Sequence, residues 1–328
     1  MKREFTHSEL STFQDCPQKW WFKYDQKLTP MRTGKNLAFG KVFHSALSAF
    51  YLGGIDAALS LFQKEIREFI DGAEPEEIEN LRNLETLGLS MLSMYATFSK
   101  QHDDFEIIEM ETPHTVPIIT AAGNKSNLFE YTYTLDQLIR RNGQLWIHEF
   151  KTAETIDNNY LSNLILDEQM SRYQWATEKM FKEPVAGAMY TILRKKIPNV
   201  PEILKKGGLT QRKDIDTIYE IYFDAIQRNG LNPQDYAEIL DILKAKGNTF
   251  IHREMVLRNE KEKKECEQRL YTLCKVINTD APLYKCPSRD CTWKCDFRGL
   301  CIEDSKELRS TYQIRESYHP EHAKEKVA

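Results

Sequence analysis

Phe129-Glu130-Tyr131-Thr132-Tyr133-Thr134-Leu135-Asp136, followed shortly by Arg141-Asn142-Gly143-Gln144-Leu145-Trp146-Ile147-His148-Glu149-Phe150-Lys151, decides the fold. The first stretch alternates apolar and polar residues, the pattern of a half-buried strand. Asn142-Gly143 is a two-residue hairpin turn, because both residue types readily take positive φ. The spacing predicts two antiparallel strands, with Asp136 ending the first and Glu149 and Lys151 ending the second. Side chains alternate along a strand, so Glu149 and Lys151 share one face and His148 takes the other. A single hairpin thereby gathers two carboxylates and an ammonium.

Outward from the hairpin, a helix is predicted over 163–181 and a strand over 185–193. Upstream, helical patterns cover 7–24, interrupted by Pro17 after Cys16, then 38–52, 55–71 and 75–101. Downstream come helices over 215–228 and 233–246, a strand over 249–257 and a charged helix over 259–278. Helix, sheet, helix, strand is the order of an α/β core. The expected organisation is one domain over 1–312 with its core at about 100–257, elaborated by 7–24 and 280–302, and a polar, frayed tail over 313–328. Neither an internal repeat nor a G-x-x-x-x-G-K-[ST] phosphate loop is present, which argues against an ATP-driven motor on this chain.

The 328 residues are 41% apolar with a formal net charge of −4, an ordinary globular balance without a global basic field. Local cations concentrate at Arg194, Lys195, Lys196, Lys205, Lys206, Arg212 and Lys213, in a stretch expected to be an exposed loop. Such a loop is usually solvated surface, and beside a nucleic-acid site it would contact phosphates. The N-terminal residues lack an apolar h-region and no run nears membrane-span length, so the expectation is a cytoplasmic protein without a membrane partner. Of seven cysteines, four crowd between Cys286 and Cys301, which in a reducing compartment argues for metal or cluster ligation over disulfides. Cys266 and Cys274 fall on a helical pattern and read as small buried hydrophobes.

A Glu and a Lys two apart on a strand are commonly a solvated pair, so D…E-x-K carries little alone. Two further motifs accompany it. Gly40-Lys41-Val42-Phe43-His44-Ser45-Ala46-Leu47 sets His44 among apolar neighbours on a helix, and Gln169-Met170-Ser171-Arg172-Tyr173 puts Gln169 and Tyr173 one helical turn apart. The remaining histidines lack partners at ligand spacing and read as structural or solvated.

In this order, over about 7–302, these residues resemble the RecB and AddB family of PD-(D/E)XK nucleases and the CRISPR-associated RecB-like exonucleases. The resemblance implies a restriction-endonuclease-like α/β core and DNA hydrolysis. It implies a Mg²⁺ or Mn²⁺ ion held by His44, Asp136, Glu149 and the Phe150 carbonyl, with Lys151 acting on water or phosphate and Gln169 and Tyr173 beside the DNA. An imidazole among oxygen donors suits Mn²⁺ as well as Mg²⁺. Glu149 stands where many relatives have Asp, which preserves a hard oxygen donor.

Iron–sulfur members of that family use one cysteine near the N-terminus and three near the C-terminus. Cys16, in Cys16-Pro17-Gln18-Lys19-Trp20, and Cys291, Cys295 and Cys301 match that set and imply a [4Fe–4S] cluster. Cys286 is a rival for Cys16, and zinc a rival metal for four thiolates. Trp20, Trp21, Phe22 and Tyr24 beside Cys16 read as packing in preference to base stacking. The implied activity is an exonuclease on single strands or DNA ends, of the stand-alone kind found in bacteriophages or CRISPR loci, alongside recombination or replication proteins. A homo-oligomer is compatible with this reading but not required by it. The alternative from another class is a non-catalytic DNA-binding or assembly subunit, against which the complete D…E-x-K set argues.

Overall fold

In the computed structural model, Asn142 and Gly143 both take positive φ, 50° and 78°, and close the turn foreseen for them. The structure describes residues 2–31, 35–279 and 283–315. Residues 280–282 of the expected C-terminal elaboration and 316–328 of the expected tail lie outside it.

In chain order, β1 (Arg3–Phe5) leads through the N-cap Thr6 into α1 (His7–Asp15), and α2 (Pro17–Trp20) runs into a π-helical turn over Trp21–Asp25. β2 (Leu28–Pro30) precedes α3 (Lys35–Asp71) and α4 (Pro75–His102). The central strands are β3 (Glu106–Met110), β4 (Pro113–Ile119), β5 (Lys125–Thr134), β6 (Gln137–Arg141) and β7 (Gln144–Ala153). Then come α5 (Asn158–Ile165), α6 (Glu168–Phe181), β8 (Val185–Arg194), α7 (Tyr219–Arg228), α8 (Ala237–Lys246) and β9 (Ile251–Val256). The chain continues through α9 (Glu260–Ile277), α10 (Arg298–Ile302), α11 (Lys306–Arg309) and β10 (Tyr312–Ile314).

β3-β6-β7-β8-β9 form a mixed sheet in which only β7 and β8 pair in parallel. β1-β5-β4 form a second sheet. Helices α3 and α4 cover one face of the central sheet, where Phe150, Leu193 and Ile251 pack with Phe43, Phe62 and Tyr95. On the other face, Ile147, Tyr190 and Ile192 pack with Met170, Tyr173 and Ala176 of α6 and Leu270 of α9. Burying each such side chain is worth roughly 1.5–3 kcal/mol. Gly88 of α4 lets the Phe62 ring lie against the helix backbone, since a Cβ there would stand 2.0 Å from the ring. This is the α/β, restriction-endonuclease-like architecture expected, a central mixed sheet flanked by helices with a helical N-terminal elaboration.

Several local expectations shift. The strand thought to run from 129 into the hairpin breaks at Leu135-Asp136, and its halves join different sheets. The helix expected over 163–181 is two, because Asp167 accepts the Gln169 N–H and restarts the helix as an N-cap. Gly54, at φ 79°, interrupts α3 where two helices were expected. By length and composition Phe39–Asp71 could cross a membrane; however, Phe39, Val42, Phe43, Phe62 and Ile66 on both sides of the break are buried in the core. The first residues of the expected tail, Gln313 and Ile314, are ordered with Tyr312, since Tyr312–Ile314 pairs antiparallel with Leu28–Pro30. Phe22 and Leu28 there pack against Phe297 and Leu300, so the two terminal segments share a small core of their own.

Candidate active site

The break at Leu135-Asp136 positions the chemistry. Gln137 pairs with His148, so one step further Asp136 lies opposite Glu149 at the mouth of the hairpin. Asp136 is fixed from two directions: its Oδ2 accepts the Phe150 N–H at 2.8 Å, and its Oδ1 lies 3.2 Å from His44 Nδ1 on α3. Lys151 donates to Glu149 Oε1 at 2.7 Å and to Gln169 Oε1 at 3.0 Å. The structure thus brings together His44, Asp136, Glu149, Lys151 and Gln169, drawn from α3, the break between β5 and β6, β7 and α6. Tyr173 lies one turn beyond Gln169, only 8% exposed, with its ring packed against Tyr133 and His7. Gln169 orients the ammonium and Tyr173 supports that wall of the site.

His148 points away, as alternation demands; it is buried between Gln137 Oε1 and Thr191 Oγ1, each at 2.8 Å. Arg258 holds the start of α6 through Ser171 Oγ and the Asp167 carbonyl, and Tyr190 donates to Asp167 Oδ2. The helix that presents Gln169 is therefore anchored to the sheet by buried polar contacts.

Charge is crowded here. Burial opposes ionisation of Asp136, yet the charge and hydrogen bond of His44 hold its carboxyl below the usual range. For His44, burial alone would lower the pKa, but Asp136 outweighs it and lifts the imidazole to about 9. Burial and then the Asp136 charge push Glu149 up to about 7. Lys151 stays protonated, because Glu149 overcomes the cost of burying the ammonium. Glu149 Oε2 is buried and has no hydrogen-bond partner. A buried acceptor left unpaired is costly, and the donor that would satisfy it beside a second carboxylate is a hard cation. Among the described residues no group of three His, Cys, Asp or Glu side chains is drawn together closely enough to hold a metal ion. The donors nevertheless suit an oxygen-seeking divalent ion open to water on one side.

At the chain ends, Cys16, Cys286, Cys291, Cys295 and Cys301 line one cavity of about 640 Å³. The Cys286 N–H approaches Cys16 Sγ at 3.5 Å and the Ser288 N–H approaches Cys291 Sγ at 3.4 Å. All five thiols are half-buried, whereas Cys266 and Cys274 are buried in α9. Five soft donors around one cavity fit a thiolate-bound metal or cluster by donor chemistry. Trp20, Phe22 and Tyr24 are buried, as their packing role requires.

Five of the seven cations of the expected loop are paired with carboxylates. Arg194 and Lys196 both reach Asp216, Lys195 reaches Glu154, Arg212 reaches Asp214 and Lys213 reaches Glu238. That is the arrangement of a solvated surface. Sequence reasoning missed Glu111, whose N–H bonds the carbonyls of Leu135 and Asp136. No local motif marks it, because only the β3–β6 pairing brings it to the site.

With this geometry in place, comparison with known proteins is direct: the family model of the PD-(D/E)XK nuclease superfamily matches residues 4–302. The chain belongs to the PD-(D/E)XK nuclease superfamily. Members use divalent metals such as Mg²⁺ or Mn²⁺, and the family implies DNA as substrate. Among curated proteins none matches the chain. Solved structures resemble it distantly, two of them as follows. The protein SSO0001 is 10% identical, with a TM-score of 0.35 over 92% of this chain and 86% of that one. A protein from Eubacterium rectale, described as a candidate exonuclease, is 11% identical, with a TM-score of 0.34 over 87% of this chain and 92% of that one. Neither likeness carries a functional argument. The protein is a metal-dependent PD-(D/E)XK nuclease.

Proposed function

We propose that this nuclease is a deoxyribonuclease that removes nucleotides from single strands or DNA ends. The observation that carries this reading is Asp136 opposite Glu149, with Lys151 held between Glu149 and Gln169. Asp136, Glu149, His44 and the Phe150 carbonyl would hold Mg²⁺ or Mn²⁺. Such an ion, when bound, acidifies a water and draws charge from the phosphate. Lys151, protonated and fixed by two acceptors, donates to the attacking oxygen or to the charge developing on the phosphoryl oxygens. Gln169 keeps the ammonium on that line, and Tyr173 closes the wall beside it, next to the DNA.

Cys16, Cys291, Cys295 and Cys301 would carry a [4Fe–4S] cluster, with the Cys286 N–H directed at the Cys16 sulfur and zinc the alternative occupant. The cluster would clasp the terminal segments together. The setting we propose is the cytoplasm of a bacterium or phage-infected cell, in phage or CRISPR-type recombination, replication or end processing, alone or with partner proteins or further copies of this chain.

The test is digestion of end-labelled single- and double-stranded DNA by anaerobically purified protein with Mn²⁺. Stepwise shortening, abolished by chelator and by Lys151→Ala, is expected, with Mn²⁺ at least as effective as Mg²⁺. A folded, metal-loaded wild type that leaves every substrate intact would replace this reading with a non-catalytic DNA-binding subunit. Internal cuts without shortening would retain the nuclease and reject the end preference.

A further inference from the structure

His148 turns away from the chemistry, yet it is one link in a covered string of hydrogen bonds that reaches both sides of it. Arg253 of β9 stands at the middle of that string. Its Nε donates to Thr191 Oγ1 at 3.1 Å, its Nη1 to the His102 carbonyl at 2.6 Å, and its Nη2 to Asp103 Oδ1. Arginine only donates, so Thr191 accepts from it and donates onward to His148 Nε2, and His148 Nδ1 donates to Gln137 Oε1, each at 2.8 Å. In the other direction, Asp103 Oδ2 accepts from the Tyr51 hydroxyl at 2.8 Å, and Tyr51 is bonded to Tyr95. Gln137, His148 and Thr191 are buried, and Asp103 and Arg253 are mostly covered.

What the two ends carry gives the string its meaning. Gln137 directly follows Asp136, where the chain leaves β5 for β6. Tyr51 stands two helical turns beyond His44 on the same side of α3, and Gly54 interrupts that helix three residues later. Apolar contacts of Phe43 and Leu47 press this half of α3 onto the sheet, but such contacts are non-directional. The bond from Tyr51 to Asp103 is directional and fixes where along the sheet the helix rests. His44 Nδ1 and Asp136 Oδ1, 3.2 Å apart, then close the string into a ring. A fully satisfied polar network of this kind specifies one arrangement, whereas a partly satisfied one is costly.

We propose that Arg253 and Thr191 are positioning residues of the nuclease. Through Asp103 and Tyr51 on one side, and His148 and Gln137 on the other, they set the spacing of His44 and Asp136. Neither is itself a ligand; each acts on the geometry of two groups that are. This inference rests on the cation centre proposed at His44 and Asp136.

The experiment is Mn²⁺ titration of the full-length, DNA-free protein, with free Mn²⁺ read by electron paramagnetic resonance well below the Tm of each variant. Thr191→Val keeps the shape of the side chain and removes the hydroxyl, while Thr191→Ser keeps the hydroxyl. Thr191→Val is expected to raise the Mn²⁺ Kd roughly tenfold, as loss of an outer support of a metal ligand does, and Thr191→Ser to stay within about threefold of wild type. Arg253→Lys, which retains the charge but not the fork that reaches three partners, should weaken Mn²⁺ to a similar degree. A Thr191→Val or Arg253→Lys protein that melts earlier yet binds Mn²⁺ as wild type does would make the string purely structural and overturn the proposal. Failure of Thr191→Ser to restore the affinity overturns it as well. Should neither Thr191→Val nor Arg253→Lys fold by circular dichroism, Tyr51→Phe takes their place, because it severs the α3 end alone. A Kd raised by at least about threefold then supports the proposal, and an unchanged Kd overturns it. Wild type that binds no Mn²⁺ at all overturns the cation centre and the positioning role together, an outcome distinct from the others.

Discussion

At the hairpin, Asp136, Glu149 and Lys151 are already held by the Phe150 amide, His44 and Gln169, on strands packed on both faces. At the chain ends, five half-buried thiols share a cavity whose apolar support is little more than Phe22, Leu28, Phe297 and Leu300. The first region has its geometry from the fold, and a cation there adds chemistry to a frame that stands without it. The second joins segments almost the whole chain apart, so the cluster we propose there would contribute to folding itself. Metal removal should separate the two: a chelator that strips the hairpin silences the enzyme and leaves the fold, while loss of the cysteine-bound group loosens the terminal segments.

The largest effect expected is at Lys151. Replacing it with Ala should lower DNA cleavage by on the order of 10²–10³, as removal of one charge-stabilising donor does, with Mn²⁺ binding retained. Cleavage within tenfold of wild type would make the ammonium a structural partner of Glu149 and bring the hairpin closer in kind to the cysteine cavity.

Next is Cys16→Ser, expected to lose bound iron and most soluble protein, and to lower Tm by at least about 5 °C in whatever remains. Cys286→Ser should keep the iron, since Cys16 is the ligand we propose and the Cys286 N–H is directed at its sulfur. Reversal of those two outcomes would make Cys286 the ligand and Cys16 its neighbour. A smaller effect is expected for Gln169→Leu, which leaves Lys151 tethered only to Glu149. Cleavage should fall about tenfold with Mn²⁺ affinity unchanged, and weaker Mn²⁺ binding would show that Gln169 supports the carboxylates as well.

How much of this was legible in the sequence follows the range of the interactions. The Asn142-Gly143 turn and the shared face of Glu149 and Lys151 are local, and both stand as read. The division at Asp167 is also local: an Asp preceding a helical run is an N-cap signal, which the expectation of a single helix over 163–181 leaves out. The break at Leu135-Asp136 has no local signature, because it exists to send β5 and β6 into different sheets. The pairing of β2 with β10 and the arrival of Glu111 beside Asp136 depend on contacts between distant segments that no periodicity encodes. The Gln169 contact to Lys151 lies between these cases, since the motif marked the residue while only the docking of α6 showed what it holds.

The smallest effect tests whether the two regions communicate. α1 spans the space between them: Cys16 follows its last residue, and His7 in its first turn accepts a hydrogen bond from Arg172 and packs edge-on against Tyr173. Burial, then the Arg172 charge, lower the His7 pKa from 6.5 to about 3. The unfolded chain thus takes up a proton near pH 6.5 that the folded chain refuses, so the stability His7 contributes is complete above that pH and is lost as pH falls towards 3. Measured between pH 7.5 and 5, the Tm of His7→Gln should fall less steeply than that of wild type, since every other titrating group is common to both. If acidification also releases iron from wild type and less from His7→Gln, α1 transmits the loss from the active-site wall to the cysteine cavity. Equal iron retention with a shallower Tm slope would confine the histidine to the nuclease wall and make the two regions independent.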